Sequence, residues 1–470
     1  MKKPVEVREF ESITYNRDFE GEKGFAVVPQ EDFEDLEQFI EEYVGSDRSS
    51  DAFDFMRISK KRGIGKVISF NNYVGLIQTS KGFQVQVLPK IDYDTEEDIG
   101  HEKTKKIFLG MLNSIKDFPG RTFNDASLSV GKMNLYELFI ATFIKEAQML
   151  AKHGIKSSYV LKEDNLNCLK GKMLFSQHIK QNMAHMERFY VGFDDFNMNT
   201  PENRIVKAAL EKLLRVTSSA RNSKDIRQLL TSFELIDSSS NYESDLSKIT
   251  INRNNKDYDL LIRWARIFLF NKSFTTFSGK QRSRAILFPM ESVYESYVAK
   301  QIKRVFGNEG WEVSVQDRSF NLFSEPKRFA LRPDVVLKRN GVTVVMDTKW
   351  KRLMNIDSVN YGISQADMYQ MYAYSKYYNS PEIWLLYPMT NELKDHEEIS
   401  YTTNDKTGIA TRVNVFFIDL GAENIVDEIR RLYLEVNIKT EGVITDIIIT
   451  EESFDPTHDY TVEVEAGKRN

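Results

Sequence analysis

The stretch Arg332-Pro333-Asp334-Val335-Val336-Leu337-Lys338-Arg339-Asn340-Gly341-Val342-Thr343-Val344-Val345-Met346-Asp347-Thr348-Lys349 decides the fold of the last third of the chain. Two apolar runs flank Asn340-Gly341. That dipeptide accepts the positive φ that both central positions of a two-residue turn require, so a β-hairpin is predicted. A turn centred there pairs Arg339 with Val342 and, counting outward, Asp334 with Asp347. Side chains alternate between faces, so Lys349 shares the face of Asp347. Directly opposed side chains lie about 4.5–5.5 Å apart at Cβ. Two carboxylates at that separation repel, and a divalent cation between them removes the cost.

Phosphodiester hydrolysis needs the same three groups. Hard oxygen ligands hold Mg²⁺ with most of its water shell retained. The ion polarises the phosphate and acidifies a bound water, while a lysine orients that water or stabilises charge developing on the phosphate. Asp334 and Asp347 are therefore the candidate Mg²⁺ ligands and Lys349 the candidate catalytic cation. The letters alone are common: Glu392-Leu393-Lys394 repeats the acid-x-Lys pattern, and a solvent-facing strand pair with ordinary surface charges reads the same way. Pro333-Asp334, however, is the only Pro-Asp pair in the chain, and the hairpin register is an independent constraint.

Further candidates surround this segment. Glu291 and Glu295 are four apart in Met290–Val298 and share a helical face, from which Glu295 reaches toward a metal. Gln370 and Tyr374 stand one turn apart in Asp367–Tyr374. Gln370 suits a hydrogen bond to a metal-bound water or a phosphate, and Tyr374 a DNA contact, although a core-facing aromatic stripe gives the same spacing. Lys280, Arg282 and Arg284 form a basic patch suited to phosphates, or an ordinary charged surface.

Working outward, helices are predicted near 290–306, 364–378 and 422–435, with strands near 311–317, 330–338, 342–349, 382–387 and 413–418. This is the order of a mixed α/β nuclease core. The first hundred residues read as mostly strand: Val5–Ile13, then Val67–Phe70, Tyr73–Thr79 and Phe83–Leu88, forming a small barrel or meander. A helix near Glu31–Glu42 interrupts them. The middle reads as helical at 104–117, 134–153, 202–216 and Asn252–Thr276, with Thr217–Ser223 a loop. The expected domains are 1–100, β-rich; 101–280, mainly helical; and 281–470, the nuclease domain.

Bulk composition excludes several alternatives. With 64 Lys+Arg against 69 Asp+Glu the net charge is −5, so nucleic-acid contact must come from local patches. The single cysteine, Cys168, rules out an intrachain disulfide framework or a multi-thiolate zinc site and suits a reducing cytoplasm. No apolar run reaches the roughly 18 residues of a membrane span. There is no G-x-x-x-x-G-K-[ST] loop: Arg62-Gly63-Ile64-Gly65-Lys66 is too short. The six histidines are scattered, without an H-E-x-x-H pair.

Taken together, Met290–Val298, Pro333-Asp334, Asp347-Thr348-Lys349 and Asp367–Tyr374 resemble McrC, the nuclease subunit of the McrBC modified-cytosine restriction system, whose catalytic domain belongs to the PD-(D/E)xK class. Tyr73-Val-Gly-Leu-Ile77, Val87-Leu-Pro-Lys90, Leu169-Lys-Gly-Lys172 and Thr200-Pro-Glu-Asn-Arg-Ile-Val-Lys207 are similar to upstream family segments, so the likeness covers roughly residues 5–435. The resemblance implies an α/β (α+β) chain with a C-terminal restriction-endonuclease-like domain. It also implies a Mg²⁺-dependent endonuclease acting on double-stranded DNA carrying 5-methylcytosine-type modification. Its partner would be a McrB-like AAA+ GTPase ring that binds the GTP itself and whose hydrolysis this chain stimulates. The N-terminal and middle regions would dock the ring, with Lys60–Lys66 or Ser80–Gly82 as segments reaching its pore. A stand-alone or repair-type nuclease, or a non-catalytic adaptor activating an AAA+ NTPase, are the alternative readings.

Overall fold

The computed structural model describes residues 4–46, 55–79, 81–91, 97–115, 135–253, 255–270, 284–403 and 411–452. The chain divides into two compact units, Met1–Ser296 and Tyr297–Asn470.

The first unit begins with β1 (Val5–Arg8), β2 (Ser12–Thr14), β3 (Phe25–Val27), α1 (Gln30–Ser46), β4 (Met56–Lys61), β5 (Gly65–Phe70), β6 (Tyr73–Gln78) and β7 (Gln84–Leu88). The strand expected over Val5–Ile13 breaks in two, because Phe10 takes a positive φ of 67°. Instead of a barrel or simple meander, two four-stranded sheets form, in the orders β3-β2-β5-β4 and β1-β7-β6-β11. They share one core, in which Phe33, Leu36, Phe39 and Ile40 of α1 meet Ile68, Phe70, Val85 and Val87. The last strand of the second sheet, β11 (Arg284–Pro289), arrives from far downstream and pairs antiparallel with β6. Gly75 permits this approach: its φ is +144°, and a Cβ there would lie 2.0 Å from the Ile286 carbonyl oxygen. The strand carrying Arg284 thus lies in the first unit.

Between β7 and β11 run α2 (Glu97–Leu112), α3 (Leu135–His153), β8 (Ser158–Leu166), β9 (Lys172–Met173), α4 (Phe175–Asn182), β10 (Phe189–Asn197), α5 (Pro201–Val216), α6 (Ala220–Ser232), α7 (Tyr242–Lys248) and α8 (Asp259–Phe270). The helices pack through rings: Phe139 lies 5.6 Å from Trp264, Phe143 5.7 Å from Phe268, and Trp264 stacks on Phe268 at 5.4 Å. Buried Glu137 accepts hydrogen bonds from the Thr217 hydroxyl at 2.6 Å, the Ser218 amide at 2.6 Å and the Asn222 side chain at 2.7 Å. These bonds satisfy a charge that would otherwise be costly to bury.

Three expectations for this region are corrected. Residues 158–197 hold a three-stranded sheet, β8-β10-β9, inside the region expected to be helical. The segment Thr217–Ser223 is mostly a helix start, since Ser219 caps α6 by accepting the Asn222 amide. The helix expected from Asn252 begins at Asp259, because the Asn255 side chain accepts the Asn252 amide at 2.7 Å and holds a turn there.

The helix α9 (Met290–Asn308) leads into the second unit, which continues with β12 (Glu312–Val315), β13 (Asn321–Ser324), β14 (Lys327–Ala330), β15 (Val335–Arg339), β16 (Val342–Thr348), α10 (Gln365–Tyr378), β17 (Glu382–Pro388), β18 (Ile399–Thr403), β19 (Thr411–Ile418) and α11 (Ile425–Glu452). A six-stranded sheet forms in the order β12-β15-β16-β17-β19-β18. The three strands β16, β17 and β19 are parallel, with β15 and β18 antiparallel beside them. The strand expected over 330–338 splits into β14 and β15, because Pro333 lacks an N–H and restricts its neighbour. The final helix outruns its expected end at 435; Ile429, Leu432 and Val436 bury one stripe of it.

On one face of the sheet, Val345, Ile383, Leu385, Val413 and Val415 pack against Met371, Tyr374 and Tyr378 of α10. Each such buried side chain contributes about 1.5–3 kcal/mol relative to exposure. This is the face toward which Asp347 and Lys349 also project, in step with Val345.

Candidate active site

The hairpin takes the expected register. Asn340 and Gly341 have φ values of 51° and 81°, and the ladder runs from Arg339↔Val342 to Val335↔Met346. Asp334 is the next residue beyond it. Its carbonyl accepts the Gln316 amide at 2.9 Å. Its carboxylate turns to Thr348, accepting the amide N–H at 2.7 Å and the hydroxyl at 2.6 Å on the same oxygen. Two donors on one oxygen fix that carboxylate beside the end of β16. The parallel ladder continues past the end of β16, where the Lys349 amide donates to the Leu386 carbonyl at 2.9 Å.

Asp347 is 2% exposed. A carboxylate so buried needs a compensating charge, and the Lys349 Nζ lies 2.6 Å from its Oδ2. The same ammonium donates to Gln370 Oε1 at 2.9 Å, and Gln370 Nε2 donates to the Tyr374 hydroxyl oxygen at 2.9 Å. Asp367, at the start of α10, stands 4.0 Å from Lys349 Nζ and 2.6 Å from Lys351 Nζ. Desolvation works against the Lys349 charge, but Asp347, then Asp367 and Asp334, outweigh it and raise the lysine above its ordinary 10.5. Burial likewise raises Asp367, yet Lys351, Ser364 and Lys349 together hold it below its ordinary value. Burial, with the charges of Asp347 and Asp334, pushes the Tyr374 hydroxyl well up.

The structure therefore gathers Asp334, Asp347, Lys349, Gln370 and Tyr374 in one place. Tyr374 corrects the expectation of a DNA contact: at 2% exposure it is part of the core, and its hydroxyl orients Gln370. Glu295 lies half-buried on α9 within the first unit. Glu291 is exposed there and accepts the Asn72 side chain at 3.2 Å. Lys280 and Arg282 fall outside the described residues, as does the side chain of Arg284. Ser80 is outside them as well, while Lys60–Lys66 covers the paired ends of β4 and β5 and the turn Arg62–Ile64 between them, with Lys66 paired to Glu37 at 2.7 Å. The decoy at Glu392 sits in a single 3₁₀ turn, Asn391–Leu393, off the sheet.

Three participants were missed in the sequence: Thr348, Lys351 and Asp367. Asp367 has a legible signal, being three residues before Gln370 on the same helical face.

The donor set bears on which cation fits. Among the described residues no group of three or more His, Cys, Asp and Glu side chains could hold a metal ion. Two carboxylates with no thiolate or imidazole do not make a zinc cage. They suit Mg²⁺, which keeps several waters and takes one or two protein carboxylates.

The family model for the McrBC 5-methylcytosine restriction system component matches residues 68–388. Every motif that resembles McrC, from Tyr73 to Tyr374, lies inside that span. No curated protein matches the chain. Among solved structures, a chain of the Thermococcus gammatolerans assembly of McrB AAA+ hexamers with bound McrC aligns with a TM-score of 0.65 at 20% identity, over 92% of this chain and 100% of its own length. A chain of the cryo-EM structure of the Thermococcus gammatolerans McrBC complex aligns at 20% identity with a TM-score of 0.44, over 65% of this chain and 88% of its own. At 20% identity the first of these likenesses speaks to the fold alone, while the matched family model fixes the kinship: the chain belongs to the McrBC 5-methylcytosine restriction system component family.

Proposed function

We propose that this chain is the DNA-cutting subunit of a GTPase-driven restriction system, a Mg²⁺-dependent endonuclease acting on 5-methylcytosine-type modified DNA. The observation that carries the reading is the end of one hairpin, where Asp334, fixed by Thr348, and Asp347, paired with Lys349 at 2.6 Å, are brought together. Asp334 and Asp347 would hold the Mg²⁺, which when bound polarises the phosphate and lowers the pKa of water. Lys349 keeps its charge throughout, so it acts as an electrostatic partner of the phosphate and of the attacking water. Gln370 holds the ammonium, and Tyr374 holds Gln370.

The partner follows from the family. The solved relative is an assembly of McrB AAA+ hexamers with bound McrC. By that analogy this chain docks on an AAA+ GTPase ring through its first unit, stimulates the ring's hydrolysis, and cuts with its second unit, Tyr297–Asn470.

Asp347→Ala tests the reading. The variant should lose cleavage of methylated duplex in Mg²⁺ while still stimulating GTP hydrolysis by the ring. Full cleavage by Asp347→Ala, or cleavage by the wild-type pair in chelator, would rule it out.

A further inference from the structure

We propose that the β13–β14 hairpin grips duplex DNA beside the phosphate that is cut. This rests on the nuclease reading above and gives that site a substrate-holding element. The hairpin pairs Asn321 with Ala330, Phe323 with Arg328 and Ser324 with Lys327. Every residue from Leu322 to Ala330 is exposed, yet the hairpin carries Leu322, Phe323 and Phe329, the last two 54% and 72% exposed. The rings of Phe323 and Phe329 meet edge to face at 5.8 Å. Phe329 has a positive φ of 56°, a conformation bulky side chains rarely adopt. Two aromatic rings held outward on a two-stranded ribbon are an expensive arrangement unless something covers them.

The local charge names the occupant. Between positions 318 and 332 the charged residues are Arg318, Lys327, Arg328 and Arg332 against Glu325, a basic patch in a chain whose net charge is −5. Arg328 lies directly across from Phe323, so cation and ring share one face. Rings interleaved with cations suit a nucleic-acid duplex, in which phosphates take the cations and a base step or sugar takes the ring.

The position fits as well. Phe320 packs on Tyr378 at 4.8 Å, the Leu331 amide donates to the Phe320 carbonyl at 2.9 Å, and the Tyr377 hydroxyl donates to the Leu322 carbonyl. Tyr377 and Tyr378 belong to α10, the helix that also carries Gln370. The base of the hairpin is thereby fastened to the active-site helix while its outer part is left exposed. Leu331 is buried, and Asp334 follows three residues later. Four residues from Ala330 to Asp334 span at most about 14 Å, or roughly four base pairs at 3.4 Å each.

The test uses the complete chain with its GTPase partner and a fluorescein-labelled duplex carrying 5-methylcytosine, read by anisotropy across a salt series and by cleavage. Lys327→Glu/Arg328→Glu should weaken duplex binding at least tenfold and reduce the salt slope by about two. Phe323→Ala/Phe329→Ala should weaken binding severalfold at unchanged slope. Both should keep the wild-type thermal midpoint and Ca²⁺ binding by calorimetry, which shows that the fold and the metal site are intact. Wild-type binding and cutting by both variants would overturn the proposal and leave the nuclease reading standing. Loss of GTPase stimulation with unchanged duplex binding would also overturn it, making the hairpin a protein contact. Failure of the wild-type pair to bind or cut the duplex at all would instead bring down the nuclease reading, and this inference with it.

Discussion

Asp334 and Thr348 share two hydrogen bonds, both ending on one carboxylate oxygen: the Thr348 amide at 2.7 Å and its hydroxyl at 2.6 Å. The first comes from backbone and cannot be mutated away; the second can. A hydrogen bond to a charged group contributes about 1.5–3 kcal/mol, which corresponds to roughly tenfold to a hundredfold. Thr348→Val keeps the shape and the amide but removes the hydroxyl. Its cleavage rate should fall by that factor, and its Mn²⁺ affinity by calorimetry should weaken in parallel. Wild-type cleavage by Thr348→Val would show that the amide alone holds Asp334.

On the proposed reading, Lys349 and the metal would compete for the same carboxylate. Its ammonium is 2.6 Å from Asp347 Oδ2, where a divalent ion would also be drawn. Lys349→Met should therefore abolish cleavage while binding Ca²⁺ at least as tightly as the wild type. Weaker Ca²⁺ binding would mean that the lysine builds the metal site rather than competing for it. The lysine pKa is raised above 10.5. Its charge-dependent stabilisation is present below the unfolded value and is lost only as pH rises through the higher folded value. The alkaline limb of the pH–rate profile should consequently show no break from Lys349 below about pH 10.

The hairpin was legible because Asn340-Gly341 permits one tight turn and the flanking valines leave one register with a buried face. Thr348 was not, because strand alternation puts it off the face of Asp347 and Lys349, and it acts mainly through an amide that any residue supplies. The β8–β10 ribbon escaped notice because Tyr159, Leu161, Lys162 and Glu163 are all exposed, so no two-residue hydrophobic period is written into it. Ser218 and Ser219 read as loop because capping residues are loop-like in composition. The pairing of β11 with β6 is set by shape at Gly75, across a long sequence separation that local pattern does not register.

Asp367 links the candidate active site to acid stability. Its folded pKa is lowered, so it contributes stability above the unfolded value near 3.9 and loses it as pH falls through the folded value. Lys351, its main partner, is 40% exposed, so solvent screening keeps the contribution small. Asp367→Asn should lower the thermal midpoint by on the order of 2 °C at pH 7. As pH falls through the folded value, the difference from wild type should shrink and vanish. A difference that persists or grows in acid would reverse the assigned sign.

Asn203 gives a prediction away from the chemistry. It is fully buried, donates to the Lys156 carbonyl at 3.0 Å and the Met198 carbonyl at 2.7 Å, and accepts the Tyr258 hydroxyl at 2.6 Å. Lys156 and Met198 flank the outer ends of β8 and β10, so a single side chain clamps both feet of that ribbon to α5. Tyr258 completes the clamp by accepting the Lys156 amide at 3.2 Å, and burial raises its pKa to about 12. Asn203→Ala strands two carbonyls and a hydroxyl in the interior, each costing about 1–3 kcal/mol if left unpaired. The thermal midpoint should drop by several degrees, and backbone amides of β8 and β10 should exchange faster with deuterium. Tyr258→Phe leaves the two carbonyl bonds in place and should cost less. Equal losses in the two variants would locate the stabilising contact in the tyrosine hydroxyl instead of the asparagine clamp.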